Sequence, residues 1–150
     1  PVLSEVILDR TNVKSLAPLQ TCGALTRFTG SIGQCTSIEG LANPKLHTIL
    51  LFEAKQITNL DALSACSGLK NLTIYSAENL NDISGISGCT SLEMLKLEGA
   101  SSVRSSAAFS SITTLNEFRN VVTKQTGTVF LSHLLDLFLA AALSDNGRNA

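Results

Sequence analysis

Charge is scarce in this chain of 150 residues: Asp, Glu, Lys and Arg make up 15%, with 11 basic against 12 acidic side chains and a net of −1. That balance gives no general pull toward nucleic acid or anionic membrane. With 44% hydrophobic residues it also excludes the composition of a disordered chain. Metal ligands are equally few. The two histidines, His47 and His133, are far apart and the four cysteines contain no Cys-x-x-Cys pair, so no zinc-site spacing is complete. No acid, base and nucleophile converge in the sequence. His133 and Asp136 lie three apart without a nearby nucleophile, so a solvated stripe is the better reading, and no enzymatic activity, catalytic residue or cofactor is expected. The opening residues Val2-Leu3-Ser4-Glu5 carry no basic segment leading into an apolar one. The longest apolar stretch, 129–143, is interrupted by His133 and Asp136 and falls short of the roughly 20 residues that cross a bilayer. No membrane span is expected.

What the sequence does contain is a repeat. Leu46, Leu69, Leu92 and Leu115 recur every 23 residues, and the first three open the pattern L-x-x-L-x-L: Leu46, Ile49, Leu51; Leu69, Leu72, Ile74; Leu92, Leu95, Leu97. Ala54, Ala77 and Ala100 follow, then Ile57, Leu80 and Val103, then three-residue steps through Leu60/Leu63, Ile83/Ile86 and Ser106/Phe109, with Cys66 and Cys89 closing two of the units. A shorter copy precedes them in Leu3, Val6, Leu8, Val13, Leu16, Leu19 and Cys22, and a degenerate one in Leu25, Phe28, Ile38 and Leu41. Apolar residues two apart share one face of a strand, and apolar residues three apart share one edge of a 3₁₀ turn. Each unit is a coil that cannot bury its own edges, so stacked coils must complete the core. Cys22, Cys66 and Cys89 take small apolar positions in this scheme and read as reduced thiols, which favours an intracellular setting.

On these motifs the chain resembles a leucine-rich repeat protein. Phrases such as Gly88-Cys89-Thr90-Ser91-Leu92 and Ser67-Gly68-Leu69 are similar to the Cys-containing repeats of flagellate protists and to the short repeats of phosphatase-regulator and axonemal proteins. The resemblance implies an α/β solenoid with a parallel sheet on its concave side and short helices or 3₁₀ turns on the convex side. It also implies protein partners. One departure stands out: the family usually places Asn or Cys just beyond the strand to satisfy backbone groups, whereas this chain has Ala54, Ala77 and Ala100, leaving those groups to backbone or water.

Two segments are expected: an array of about five coils over 1–118, and a C-terminal cap over 119–150 with a helix near 129–143 and a polar tail. The stretch 129–143 is apolar on most sides, with Ser132, His133 and Asp136 on one stripe, and so suits an array end or a docked partner. The second unit is expected to be irregular, with Gly30 and Gly33 at a corner of the solenoid rather than in a phosphate loop.

Alternation along the strands puts Ile7, Thr29, Leu50, Thr73 and Lys96 in one column of the free face, and Asp9, Ser31, Phe52, Tyr75 and Glu98 in the next. Leu50, Phe52, Thr73, Tyr75, Lys96 and Glu98 are therefore the candidate partner-binding residues. In a chain with 5% aromatics, two outward aromatic rings side by side carry weight, although Phe52 could equally pack beneath a loop or the terminal helix. The leading expectation is a non-catalytic interaction module, a subunit or adaptor of an intracellular assembly. Alternatives are an extracellular recognition protein, toward which the Asn71-Leu72-Thr73 glycosylation sequon would point, and an RNA-contacting subunit using Lys70, Lys96 and Tyr75.

Overall fold

In the computed structural model of the chain, residues 2–103 and 107–121 are described. Six strands, β1 (Glu5–Leu8), β2 (Arg27–Ser31), β3 (Thr48–Phe52), β4 (Asn71–Ile74), β5 (Met94–Glu98) and β6 (Glu117–Val121), form one parallel sheet in sequence order. Five 3₁₀ turns alternate with them: Ala17–Thr21, Glu39–Leu41, Asp61–Ala65, Ser84–Gly88 and Ala107–Ser111. Each strand from β1 to β5 is followed by a crossover through one such turn, so the chain advances by one coil from each of them to the next. The helix and cap expected at 129–143 lie outside the described residues, and β6 straddles the boundary drawn at 118.

The repeat sets this register. Val6, Phe28, Ile49, Leu72, Leu95 and Phe118 pair in one row, and Leu8, Gly30, Leu51, Ile74 and Leu97 in the next inward row. From coil two onward nearly all of these side chains are fully buried, as are Leu25, Leu46, Leu69 and Leu92 ahead of the strands and Leu41, Leu63 and Ile86 in the turns. Each such aliphatic side chain contributes roughly 1.5–3 kcal/mol by leaving water, and one contiguous core results. The backbone at the strand exits is satisfied without side chains. The Ile32 N–H donates to the Phe52 carbonyl at 2.9 Å, Ala54 N–H to Tyr75 at 3.0 Å and Ala77 N–H to Glu98 at 2.9 Å, each reaching the following coil. Ala54 and Ala77 thus leave no orphaned N–H.

The cysteines do more than fill space. The thiol of Cys66 donates to the Leu41 carbonyl at 3.0 Å and that of Cys89 to the Leu63 carbonyl at 3.3 Å, linking each coil to the one before it. In coil two Asn43 takes this role, its Nδ2 donating to the Cys22 carbonyl at 3.1 Å while its Oδ1 accepts from the Lys45 N–H at 2.9 Å. Cys35 stands much earlier in its coil, at the place of Ile57 and Leu80, and donates to the Val13 carbonyl at 3.3 Å. All four cysteines are free. Burial pushes the Cys35 and Cys66 thiols up, a backbone hydrogen bond from Asn43 partly opposing it at Cys66. Burial, reinforced by the neighbouring Cys66, pushes Cys89 up to about 12.

Coil two corrects one expectation. Gly30 is not at a corner; it lies inside β2 between Leu8 and Leu51. It is glycine because the Phe28 ring fills the space its side chain would take: a Cβ at Gly30 would stand 2.9 Å from the ring and 3.2 Å from Leu8. Coil two also lacks the residue that elsewhere follows the strand in left-handed conformation. Glu53 (φ 55), Ser76 (φ 57) and Gly99 (φ 80) occupy that place in coils three to five, whereas Ser31 runs directly into Ile32.

Candidate functional site

The open face of the sheet carries the rows that alternation assigned to it. Ile7, Thr29, Leu50, Thr73, Lys96 and Arg119 are paired in one column; Ser31 pairs with Phe52 and Glu98 with Val121 in the next, with Tyr75 and Asp9 at the corresponding strand exits. Ile7 is 65% exposed and Phe52 37%, while Leu50, Tyr75, Lys96 and Glu98 are half-buried.

Four of the six candidates form one assembly. The Phe52 and Tyr75 rings are stacked with centroids 5.2 Å apart and planes within 3°. That spacing is close to the strand separation of about 4.8 Å, so adjacent rungs place the rings face to face. On the far side of Tyr75, Lys96 Nζ stands 4.5 Å from the ring centroid and donates to the phenolic Oη at 3.2 Å. Glu98 holds the same ammonium at 3.9 Å. The result is a column running cation, phenol, phenyl across coils five to three. Leu50 lies on β3 two residues before Phe52 and extends the apolar surface sideways.

Thr73 does not join them. It is only 9% exposed, its Oγ1 donating to Met94 Sδ at 3.9 Å. A short side chain between two coils with long ones falls beneath its neighbours, so an outward strand position is not an accessible one. The same coil holds Asn71, half-buried within β4. Missing from the sequence reading was the hydrogen bond of Lys96 to Tyr75. The column spacing brought the two within reach, but only the side-chain path determines that the lysine folds back over the ring.

The charges around this column are largely internal pairs. Arg27 meets Glu5 at 3.6 Å, Lys70 meets Glu93 at 3.5 Å, and Arg119 is paired with Glu117. Solvent-exposed pairs of this kind contribute about 0–1 kcal/mol each, yet they leave few free cations among the described residues of coils four to six. His47 is exposed just ahead of β3, its carbonyl accepting from the Lys70 N–H at 2.9 Å. A depression of about 400 Å³ on the opposite, 3₁₀ side is lined by Gln20, Ser37, Glu39, Asn59 and Asp61. Its polar atoms serve the turns: Ser37 Oγ accepts from the Glu39 N–H and Asn59 Oδ1 from the Asp61 N–H, both at 3.1 Å. Among the described residues no group of three or more His, Cys, Asp and Glu side chains is placed to hold a metal, and no helix is long and apolar enough to cross a membrane.

No protein-family model and no curated protein matches the sequence. Among solved structures, the crystal structure of an internalin, InlF, from Listeria monocytogenes superposes on 81% of this chain with a TM-score of 0.61 at 24% identity. The fold is a leucine-rich-repeat solenoid. The match covers 36% of the internalin chain, so this sequence spans little more than a third of that neighbour's length.

Proposed function

We propose that the chain is a protein-recognition module that engages a partner through the concave, strand-lined face. The observation that carries this reading is the Phe52–Tyr75 stack: two aromatic rings in a chain with one tyrosine and six phenylalanines stand on the open face, not in the core. Rigid aromatic anchors ringed by paired charges are the composition of an interaction hot spot. The fold supports the same reading, since a row of strands offers an extended surface whose side chains vary without disturbing the core. A fold hosts many functions, and the assignment therefore rests on the face and not on the architecture alone.

We read the module as a subunit or adaptor within a larger intracellular assembly. Four free cysteines, three of them buried, suit a reducing compartment. Recognition of RNA is the weaker reading because Lys70 and Lys96 are already engaged by Glu93 and Glu98. The test is affinity capture from cells with the native chain and with Phe52→Ala plus Tyr75→Ala, after showing by circular dichroism that the double variant is folded. Loss of specific partners from the variant is expected; recovery of the same set in equal amounts would remove the concave face from the function.

A further inference from the structure

The aromatic column is closed at one end and open at the other. Lys96 covers the outer face of Tyr75, whereas the outer face of Phe52 looks toward coil two, where its register partner is Ser31. A serine is too short to cover a phenyl ring. The next rung beyond it belongs to coil one, two strand spacings or roughly 9–10 Å from the Phe52 plane. A slot is left with Ser31 as its floor and Phe52 as one wall, wide enough for one planar group in contact with the ring.

Two carboxylates stand at the strand exits of the rungs on either side of Ser31. Asp9 follows Ile7 by two on the same face of coil one and is exposed. Glu53 reaches back from coil three, its Oε2 so close to Gly33 that a Cβ there would stand 3.0 Å from it. Among the described residues neither carboxylate is in an ion pair, in contrast to Glu5, Glu93, Glu98 and Glu117. Arg27, the basic residue on the strand of coil two, is engaged by Glu5. Arg10 sits past Asp9 in the left-handed turn that ends the rung and is likewise unpaired.

We infer that this slot accepts an arginine side chain of the partner protein, its guanidinium lying on the open face of Phe52 with Asp9 and Glu53 as counter-charges. The chain displays the same chemistry internally, with the Lys96 ammonium on the opposite end of the stack held by Glu98. Guanidinium is the better fit for the open end because it is planar and stacks, while an ammonium is a hydrated point charge. This rests on the reading of the concave face as a binding surface and names the chemistry that the face selects.

The test is a nuclear magnetic resonance titration of the 150-residue chain with the peptides Gly-Arg-Gly, Gly-Lys-Gly and Gly-Gln-Gly. Gly-Arg-Gly is expected to move the Ser31 amide and Phe52 ring signals, and to bind more tightly than Gly-Lys-Gly, with Gly-Gln-Gly inert. Phe52→Leu is expected to weaken the arginine peptide about two- to fivefold, and Glu53→Gln about twofold with the effect lost at high salt. Equal binding of all three peptides, or a Phe52→Leu variant that is folded and binds unchanged, would overturn the slot. Either result can coexist with partner loss in the Phe52→Ala, Tyr75→Ala capture, in which case the face survives and only its arginine preference falls.

Discussion

Phe52 and Tyr75, 23 residues apart in sequence, lie with their rings parallel and 5.2 Å between centroids on the solvent side of a sheet whose other side is a continuous apolar core. The pair is worth about 0.5–1.5 kcal/mol beyond the area it buries. Replacing Phe52 by Ala should therefore lower stability by no more than about 2 kcal/mol in denaturant unfolding. A larger loss would mean that the ring is a core element and not a recognition surface.

Gly30 and Phe28 should behave as a coupled pair. Gly30→Ala alone sets a Cβ against the buried ring and is expected to cost about 1–3 kcal/mol. In a Phe28→Leu background, where the ring is gone, most of that cost should vanish. A double-mutant cycle in urea gives the coupling directly, and additive losses would contradict the packing described.

Gly85 meets backbone, which cannot swing aside. A Cβ there would lie 1.9 Å from the Leu60 carbonyl oxygen of the previous turn. Gly85→Ala should therefore separate two adjacent coils and cost more than about 3 kcal/mol, read as a fall of the thermal midpoint by many degrees. A variant as stable as the parent would show that the turns do not stack in contact.

The left-handed residue after each strand invites the opposite change. Glu53 holds φ 55 where coil five uses Gly99 at φ 80. Glu53→Gly should relieve the side-chain strain and raise stability by up to about 1 kcal/mol, while removing one of the carboxylates that faces the slot. Stability and arginine-peptide affinity should move in opposite directions, and a fall in both would assign Glu53 a packing role instead.

Alkali should unfold the chain through its thiols. The Cys89 pKa rises from 9.0 to about 12 on folding, so above pH 9 the unfolded chain has lost a proton that the folded chain retains. The unfolded state then binds fewer protons and stability falls as pH climbs from about 9 toward 12. Cys89→Ala should flatten that slope, at the cost of the hydrogen bond to Leu63 and about 1–2 kcal/mol near neutral pH. An unchanged slope would place the alkaline transition elsewhere.

The solenoid was legible because a 23-residue spacing of Leu46, Leu69 and Leu92 has few physical solutions, and the open columns followed by counting in twos. Coil two was harder. Its register is regular, but Phe28 and Gly30 exchange volume between neighbouring rows, and a pattern search by residue type cannot see that one ring fills two places. Cys66 and Cys89 were placed correctly as small buried groups, while their role as donors to the preceding coil depends on a thiol direction that no spacing reveals. Of the site, the column containing Phe52, Tyr75, Lys96 and Glu98 was readable, and the covering of Thr73 was not, because accessibility depends on how tall the neighbours stand.

The two spans from Leu46 to Leu69 and from Leu69 to Leu92 have the same length, and the strands within them meet their neighbours at matching positions. Residues 69–91 are in this sense a transferable cassette: a duplicate spliced in ahead of Leu92 would meet the original's contacts on its C-terminal side and a copy of itself in matching register on the other. The protein can be lengthened by whole rungs, and the distance between Phe52 and Lys96 becomes an adjustable ruler.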